Sequence, residues 1–396
     1  MSAAKKKDGK GGAMRIALVI ERMAALRGGR EVSTAQIASR LAGLGHDVTI
    51  VCQAGSWEGR DVKLLELGAR GLFRFQQAQA FTEDTGRAVA HEGFDIVHAM
   101  LPAAWANVYQ PRGGTIPGQI DASVRRWGLA GGLRRRLFEP MNLRRRRLGE
   151  LERELVSQSK VRCLAVSKMV AEEFARYYDR RQGVSVVFNG VETPRIDDDD
   201  WRHWRQKHRY ELGLGPDDPV FVSVASNFAL KGMDQAVRAF AKWRGRGGGG
   251  RDPRLVVIGR DLTDGYQRTA GLLGVGREVV FVPPTKDIFE WYAAADACVL
   301  LSWYDPCSRT VLEAVSCGLP AITTRYNGAS EALAGGAGIV VESPDDTRAI
   351  IDAFEELSDS RRRADLKAKC LAIAGQVSME RHVNELCQVY REVAGR

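Results

Sequence analysis

Residues Met14–Cys52 read MRIALVIERMAALRGGREVSTAQIASRLAGLGHDVTIVC, and their pattern indicates the class of fold. The apolar run Met14–Ile20 is typical of a buried parallel strand. A glycine-containing loop leads into a helical pattern over Glu31–Leu44, and a second apolar run follows at Asp47–Cys52. Strand, helix and strand make a βαβ unit, which implies a right-handed crossover and a parallel sheet.

The same alternation continues along the chain and restarts once. Glu192–Asp200 (ETPRIDDDD) combines a proline with four successive aspartates, which is typical of a linker. Strands are predicted on both sides of it, at residues 62–67, 94–99, 161–166 and 184–188 before it and at 220–225, 254–258, 279–282, 297–302, 320–324 and 338–342 after it. The helices predicted in the second half are 232–244, 308–317, 345–357 and 379–393.

These elements predict an α/β protein made of two doubly wound, Rossmann-like domains with a cleft between them. The first domain is expected over 14–191 and the second over 201–378, with residues 1–13 as a disordered lead-in. The helical segment 379–396 is expected to return to the first domain. In such sheets ligands bind outside the carboxyl ends of the strands.

Composition narrows the functional classes. The chain has 396 residues and a formal charge of +9, which favours an anionic partner. Its seven cysteines are scattered and form no C-x-x-C pair, which argues against a disulfide framework and a zinc site. Because no run of 18 apolar residues occurs, we expect a cytoplasmic protein that is soluble or peripheral on the inner face of the membrane.

The segment Asp305–Pro320, DPCSRTVLEAVSCGLP, follows an apolar strand and carries the candidate chemistry. The start of a helix near Ser308 leaves backbone N–H groups unpaired and carries partial positive charge, so it suits a phosphate or a sugar oxygen. Asp305 precedes this helix and Glu313 lies within it. The alternative is that Asp305 only caps the helix and Glu313 is solvated.

This segment resembles the E-x7-E signature of retaining GT-B glycosyltransferases of family 4. Further matches occur in the family's order: Gly28–Glu31 (GGRE), Phe94–His98 (FDIVH), Val166–Lys168 (VSK), Phe188–Val191 (FNGV), Lys231-Gly232, Leu255–Gly259 and Ala293–Asp296 (AAAD). The layout around Val224–Asp234 is similar to the lipopolysaccharide core glucosyltransferase branch. The resemblance implies a hexosyltransferase that uses a nucleotide sugar, UDP-glucose or a relative.

The resemblance also implies roles for individual residues. His98, Lys231 and Asp305 would act at the reacting centre, Lys231 by neutralising the diphosphate and Asp305 by contacting the sugar. Glu313 would hold the ribose. The implied donor-binding set is Gly28, Gly29, Arg195, Ser226, Lys231, Arg260, Asp305, Cys307, Ser308, Arg309, Thr310 and Glu313. No metal and no cofactor besides the donor substrate are expected.

Two positions depart from the family pattern. The first acid of the signature is Asp305 instead of glutamate, which puts the identity of the sugar in doubt. Ser226 stands where the family has an arginine five residues before the lysine. One phosphate charge is then less neutralised unless Arg195, Arg260 or Arg309 substitutes for that arginine.

A basic segment at 123–147 suggests where the protein acts. Its basic residues alternate with apolar ones, and anionic lipid headgroups attract such clusters. The expected membrane-binding set is Arg125, Arg126, Trp127, Arg134, Arg135, Arg136, Arg144, Arg145, Arg146 and Arg147. No nucleic-acid-binding motif is recognisable, so nucleic acid is not an expected partner.

The sequence therefore predicts a glycosyltransferase that acts on a lipid-linked or saccharide acceptor, such as a lipopolysaccharide core. Three alternatives stay open. One is a non-catalytic or hydrolytic nucleotide-sugar binding protein at the membrane surface. Another is a different GT-B activity, such as an epimerase or a glycosyltransferase for soluble metabolites. The third is a basic nucleic-acid-binding protein, which the absence of a recognisable motif disfavours.

Overall fold

The structure, a computed structural model, describes residues 12–24, 28–103, 105–128, 131–132, 142–248 and 252–395. Most of the lead-in predicted at 1–13 lies outside the described residues. So do Arg134, Arg135 and Arg136 of the basic segment.

The first lobe is built on a parallel sheet with the strand order β3-β2-β1-β4-β5-β6-β7. Its strands are β1 (Arg15–Met23), β2 (Asp47–Gly55), β3 (Val62–Glu66), β4 (Ile96–Ala99), β5 (Val108–Tyr109), β6 (Arg162–Ala165) and β7 (Val184–Val186). Its helices are α1 (Gly29–Gly43), α2 (Arg74–Glu92), α3 (Ile116–Arg126), α4 (Leu143–Ser157) and α5 (Lys168–Tyr178). Strand β1 is central, and its apolar run is fully buried from Ile16 to Val19 because helices cover both faces of the sheet.

The second lobe repeats this plan with the order β10-β9-β8-β11-β12-β13. Its strands are β8 (Val220–Ala225), β9 (Arg254–Gly259), β10 (Val279–Val282), β11 (Ala297–Leu300), β12 (Ala321–Thr324) and β13 (Gly338–Val341). Its helices are α6 (Asp198–Glu211), α7 (Met233–Gly245), α8 (Asp264–Leu272), α9 (Ile288–Ala294), α10 (Arg309–Ser316), α11 (Thr347–Glu356) and α12 (Ser360–Ile373), with short 3-10 turns at Gly328–Gly335 and Ala374–Val377. The predicted two-lobed, doubly wound fold is confirmed.

The last helix, α13 (Met379–Val393), packs on the first lobe. Met379, Val383, Leu386 and Tyr390 recur at helical spacing and share one apolar cluster with the buried residues of β1. A single parallel bridge between Val191 and Ser378 fixes the point where the chain crosses back.

The connection between the lobes is shorter than the sequence predicts. The aspartate run does not stay in the linker, because α6 starts at Asp198 and Asp197 caps it by accepting a hydrogen bond from the Asp200 N–H at 2.7 Å. Carboxylates are favoured at this end of a helix, where N–H groups are unpaired and the dipole is positive. The run is therefore a helix start, and the connection is residues 192–197.

In each sheet the order in which successive strands are added reverses at one place. This place lies between β1 and β4 in the first lobe and between β8 and β11 in the second. Parallel strands bring their carboxyl ends to one edge, so the loops after these strands are the expected ligand-binding loops. The loops after β1, β8 and β11 line the cleft between the lobes, and the loop after β4 lines a neighbouring cavity of the first lobe. The fold thus places two sets of loops around one space.

Candidate functional site

The cleft between the lobes contains a cavity of about 480 Å³. Its walls come from the loop and helix after β1, the loop after β8, and the segment that joins β11 to α10. The charged residues among the described lining are Arg30, Glu31, Arg112, Lys231, Asp305 and Arg309. Four cations against two anions leave an excess of two positive charges, which suits a dianionic ligand.

Lys231 and Asp305 meet at the floor of this cavity. The Lys231 ammonium donates to the Asp305 carboxylate, and the two side chains are 18% and 14% exposed. Asp305 also accepts the N–H of Cys307 at 3.2 Å. Asp305 therefore keeps the Lys231 ammonium at the cavity floor when no phosphate is present.

Gly232 fixes the position of Lys231. It starts α7 with φ of +65°, in the left-handed region that favours glycine. A Cβ atom here would stand 2.1 Å from the carbonyl oxygen of Leu301. Glycine is thus required at position 232 by the close approach of the β8 loop to the end of β11.

The first turn of α10 forms one wall of the cavity. Ser308 caps the helix by accepting a hydrogen bond from the Val311 N–H, and its own N–H donates to Asn327 Oδ1 at 3.1 Å. The Thr310 hydroxyl donates to the Val224 carbonyl at 3.1 Å and ties α10 to β8. Burial raises the pKa of the Cys307 thiol well above its usual range, so this cysteine is a neutral wall residue and no nucleophile.

Glu313 lies one turn below this wall. Its carboxylate accepts a hydrogen bond from Arg309 at 2.9 Å, and the Tyr292 hydroxyl lies 3.3 Å away. Arg309 in turn donates to Gln36 of α1 at 2.9 Å and so links the two lobes. Glu313 reaches the cavity through Arg309 and is outside the described residues that line it.

Gly28 and Gly29 bring the first lobe up to the same wall. Gly28 caps α1 with extended backbone, and a Cβ at Gly29 would stand 3.4 Å from Cδ of Arg309. The glycine loop thus lies close to the arginine across the cleft.

Arg112 is a cavity residue that the sequence analysis missed. It follows β5, is 8% exposed, and its guanidinium donates to Gln110 at 2.9 Å and to Asn189 at 2.5 Å. Asn189, from the FNG motif, also donates to the Cys307 carbonyl at 3.0 Å. The QPRGG sequence around Arg112 matches no motif, so only its tertiary contacts identify it.

Four predicted site residues do not line the cavity among the described residues, and Glu313 is one of them. His98 is fully buried, its Nδ1 lies 2.6 Å from the Tyr390 hydroxyl of α13, and burial lowers its pKa to about 3. Arg195 and Arg260 are exposed and lie outside the described lining. Ser226, by contrast, is exposed on the cavity wall. Of the three cations expected to replace the missing arginine, the structure brings only Arg309 to the cavity.

A second cavity, of about 200 Å³, opens in the first lobe at the carboxyl ends of β1, β2 and β4. Its polar lining includes Gln53, Gln119 and a pair in which Arg144 donates to both carboxylate oxygens of Glu21 at 2.7 and 2.9 Å. Arg30 lines this cavity and the interdomain cavity. The two spaces therefore lie side by side.

The basic segment is divided by the fold. Arg125 turns toward the second lobe, where it lies over the Tyr326 ring at 4.0 Å, and Arg144 turns into the first-lobe cavity. The Arg126 guanidinium lies over the Trp127 ring, and Trp127 is 53% exposed. Arg146 and Arg147 pair with Glu150 on α4, and Arg145 lies on the same helix. Arg125 and Arg144 are thus occupied within the protein and do not belong to an outward basic face.

Comparison with known proteins bears on this geometry. A family model described as Glycosyltransferase Family 4 matches residues 27–195, and one described as Glycosyl transferases group 1 matches residues 205–370. The chain is 30% identical over 253 residues to the D-inositol 3-phosphate glycosyltransferase of Jonesia denitrificans, which covers 60% of this chain and 58% of that one. It is 26% identical over 204 residues to the lipopolysaccharide glucosyltransferase WaaG of Escherichia coli K12, which covers 51% and 54%. The chain thus spans a little over half the length of these two relatives.

Solved structures match over nearly the whole chain. WaaG, a glycosyltransferase involved in lipopolysaccharide biosynthesis, aligns with a TM-score of 0.79 at 18% identity and covers 96% of this chain and all of that one. The Anabaena protein HepE in complex with UDP-glucose aligns with a TM-score of 0.70 at 16% identity, with coverage of 96% and 100%. These matches establish the GT-B fold. No described helix is long and apolar enough to span a bilayer.

Proposed function

The chain belongs to the glycosyltransferases with the GT-B fold, and from that premise we propose that it transfers a hexose from UDP-glucose, or a closely related nucleotide sugar, with retention and without a bound metal. The observation that carries the proposal is the cavity between the lobes. It joins a glycine loop, a helix tip and a lysine around a space with two excess positive charges. A diphosphate carries the complementary charge.

The donor would lie with its diphosphate beside Lys231 and the first turn of α10. Lys231 would leave Asp305 for the phosphate, which frees the Asp305 carboxylate to accept hydrogen bonds from sugar hydroxyls. Arg309 couples Glu313 to the cavity, so a ribose that binds Glu313 would displace this arginine toward the phosphates. The relative solved with UDP-glucose supports the choice of donor.

Transfer would follow front-face attack. The bond between the anomeric carbon and the phosphate oxygen breaks while the acceptor hydroxyl oxygen bonds to the same face of that carbon. The departing phosphate oxygen takes the acceptor's proton, so no side chain need act as the base. His98, buried and neutral, fits this scheme as a residue that positions β4. The enzyme's contribution is to align the reactants and to stabilise the leaving charge.

The acceptor would enter through the first-lobe cavity. Its polar lining of Glu21, Arg144 and two glutamines suits a sugar, whose hydroxyls both donate and accept hydrogen bonds. Two helices that line this cavity also carry residues of the basic segment. Arg126 and Trp127 lie at the end of α3, and Arg145, Arg146 and Arg147 lie on α4. A lipid-linked saccharide such as a lipopolysaccharide core, presented at the cytoplasmic membrane face, is the acceptor that this arrangement favours.

A second acceptor class is favoured by one observation. Arg30 and Arg144 both line the acceptor cavity, so a phosphorylated small acceptor would find cations there. The relative named as a D-inositol 3-phosphate glycosyltransferase supports this class.

Two measurements test the function. The first is a thermal-shift panel of nucleotide sugars with NAD as the control, because a ligand that binds only the folded state raises the melting temperature. We expect UDP-sugars to raise it and NAD to leave it unchanged. The second is mass and NMR analysis of products from UDP-glucose with truncated lipopolysaccharide or inositol 3-phosphate, with and without EDTA. An α-linked product that forms in EDTA is expected, and free glucose as the only product would refute transfer.

A further inference from the structure

The buried guanidinium of Arg112 has only neutral partners. It donates to Gln110, Asn189 and the Ser33 hydroxyl, and its Nη1 lies 3.4 Å from His382 Nε2. Among the described residues no carboxylate pairs with it. A buried cation without a counter-charge is costly, so this arrangement requires a reason.

A second buried arginine in the chain shows the usual solution. Arg209 is 3% exposed, pairs with Asp296 at 3.3 Å and donates to several backbone carbonyls. It is fully compensated and lies in the second lobe, on α6, outside the described lining of the interdomain cavity. Arg209 therefore has the counter-charge that a buried arginine needs to stabilise the fold, whereas Arg112 lacks one among the described residues.

The surroundings of Arg112 make its positive charge more costly still. Arg309, on the opposite lobe, lines the same cavity, and burial together with the Arg309 charge lowers the pKa of Arg112 to about 10. Lys231 lines that cavity as well. Lys231 and Arg309 each have a carboxylate partner, Asp305 and Glu313, so Arg112 is the cation of these three that has none among the described residues. An anion placed between the lobes would meet Arg112 and Arg309 together and would relieve their repulsion.

We propose that Arg112 binds the diphosphate of the donor nucleotide from the first lobe, opposite Lys231. This inference rests on the proposed function for the identity of the ligand. If phosphate oxygens replace Ser33 and His382 as acceptors, Nη1 and Nη2 can donate two parallel hydrogen bonds to them, while the hydrogen bonds to Gln110 and Asn189 keep the guanidinium in one orientation. Phosphate binding would also hold the lobes together, since Arg112 and Lys231 belong to different lobes.

The test compares Arg112→Gln and Arg112→Lys with Arg209→Gln in the full chain. Calorimetric titration is done with UDP, with uridine, and with inorganic pyrophosphate, and the melting temperature of each unliganded variant is recorded. For Arg112→Gln we expect at least about tenfold weaker binding of UDP and pyrophosphate, because charge-assisted hydrogen bonds are lost. Uridine affinity stays the same, and the unliganded melting temperature does not fall. Arg112→Lys keeps the charge without the fork and binds UDP with intermediate affinity.

Arg209→Gln is expected to show the reverse pattern, a lower melting temperature with unchanged affinity for UDP. If Arg112→Gln also lowers the melting temperature and binds UDP as the parent does, Arg112 is structural and the inference is overturned. If Arg112→Gln does not fold, Arg112→Lys decides, and parental UDP affinity in that variant overturns the inference.

Failure of the two proposals would look different. Transfer from UDP-glucose that is intact, with UDP affinity independent of residue 112, refutes the inference alone. Binding of pyrophosphate that depends on Arg112, without binding or transfer of any nucleotide sugar, refutes the proposed function and supports the anion site.

Discussion

Replacing Lys231 with methionine should show how much the ion pair between Lys231 and Asp305 contributes to stability and to binding of UDP. The substitution keeps the aliphatic length of the side chain and removes its charge. Asp305 then keeps the Cys307 N–H at 3.2 Å as a partner and loses its counter-ion. The variant therefore has a carboxylate, 14% exposed, that faces the space proposed for a diphosphate.

The size of the effect follows from the burial of the pair. Two unit charges about 4 Å apart interact by about 4 kcal/mol at an effective dielectric constant of about 20. Because both side chains keep some contact with water, we expect Lys231→Met to lower the free energy of unfolding by about 1–3 kcal/mol. UDP should bind about 100-fold more weakly, since the phosphate loses a charged donor and meets an unpaired carboxylate.

A double-mutant cycle measures the coupling free energy between Lys231 and Asp305. In Lys231→Met/Asp305→Asn the repulsive carboxylate is gone, so stability should return to within about 1 kcal/mol of the parent. Part of the UDP affinity should return as well, while transfer stays impaired. Urea denaturation and calorimetric titration with UDP measure the two quantities.

The control cycle uses the exposed pair Asp234 and Arg238 on α7, which are 42% and 52% exposed. Asp234→Asn and Arg238→Met should show coupling of only about 0.5 kcal/mol or less and no effect on UDP. If the effects of Lys231→Met and Asp305→Asn simply add, in stability and in UDP affinity, the pair does not act as described and the reasoning is refuted.

Three further predictions concern Gly232 at the start of α7, the lobe interface and the basic residues of α4. Gly232→Ala should lower the free energy of unfolding by more than the roughly 1–2 kcal/mol that a left-handed alanine costs, because the new Cβ meets the Leu301 carbonyl. Gly213→Ala is the control, since Gly213 has φ of +69° and open space around it, and should cost that amount alone. Equal losses in the two variants would contradict the close approach at Gly232. Burial raises the pKa of Glu173, which accepts from Tyr304 across the interface at 2.9 Å, to about 7, so the folded state holds this proton more tightly than the unfolded state and stability should fall by up to about 3 kcal/mol as pH rises from 4.5 to 7. Glu173→Gln should flatten that slope in urea titrations, while parallel curves for parent and variant would contradict it. Arg146→Ser/Arg147→Ser should weaken sedimentation with anionic liposomes and leave uncharged liposomes unaffected, and unchanged binding to the anionic liposomes would reject the membrane role of α4.

The sequence predicts most strands of the two sheets, because apolar runs mark them, and it misses the short strand β5. Strands β8 and β10 have the predicted bounds, and β1 is shifted by one residue at its start, since continuous apolar runs are required where helices cover both faces. The start of α6 is missed because four successive aspartates also suit a solvated linker. Only the observed capping by Asp197 distinguishes the two.

The site is predictable where a local motif carries it. Lys231-Gly232 and the Asp305–Thr310 segment are adjacent in sequence to the strands that place them, so their position on the cavity could be expected. Arg112 could not be found in this way, because its partners Ser33, Asn189 and His382 come from distant parts of the chain. The contact between His98 and Tyr390 could not be found from local sequence either, because Tyr390 lies on the last helix.

A crystal structure of the protein grown with UDP would show where the diphosphate binds. We predict density for the two phosphates between the lobes, with phosphate oxygens at about 3 Å from the Lys231 ammonium and the Arg112 guanidinium. UDP bound elsewhere on the molecule, or an interdomain cavity without phosphate density at a UDP concentration that saturates the protein in solution, would contradict it.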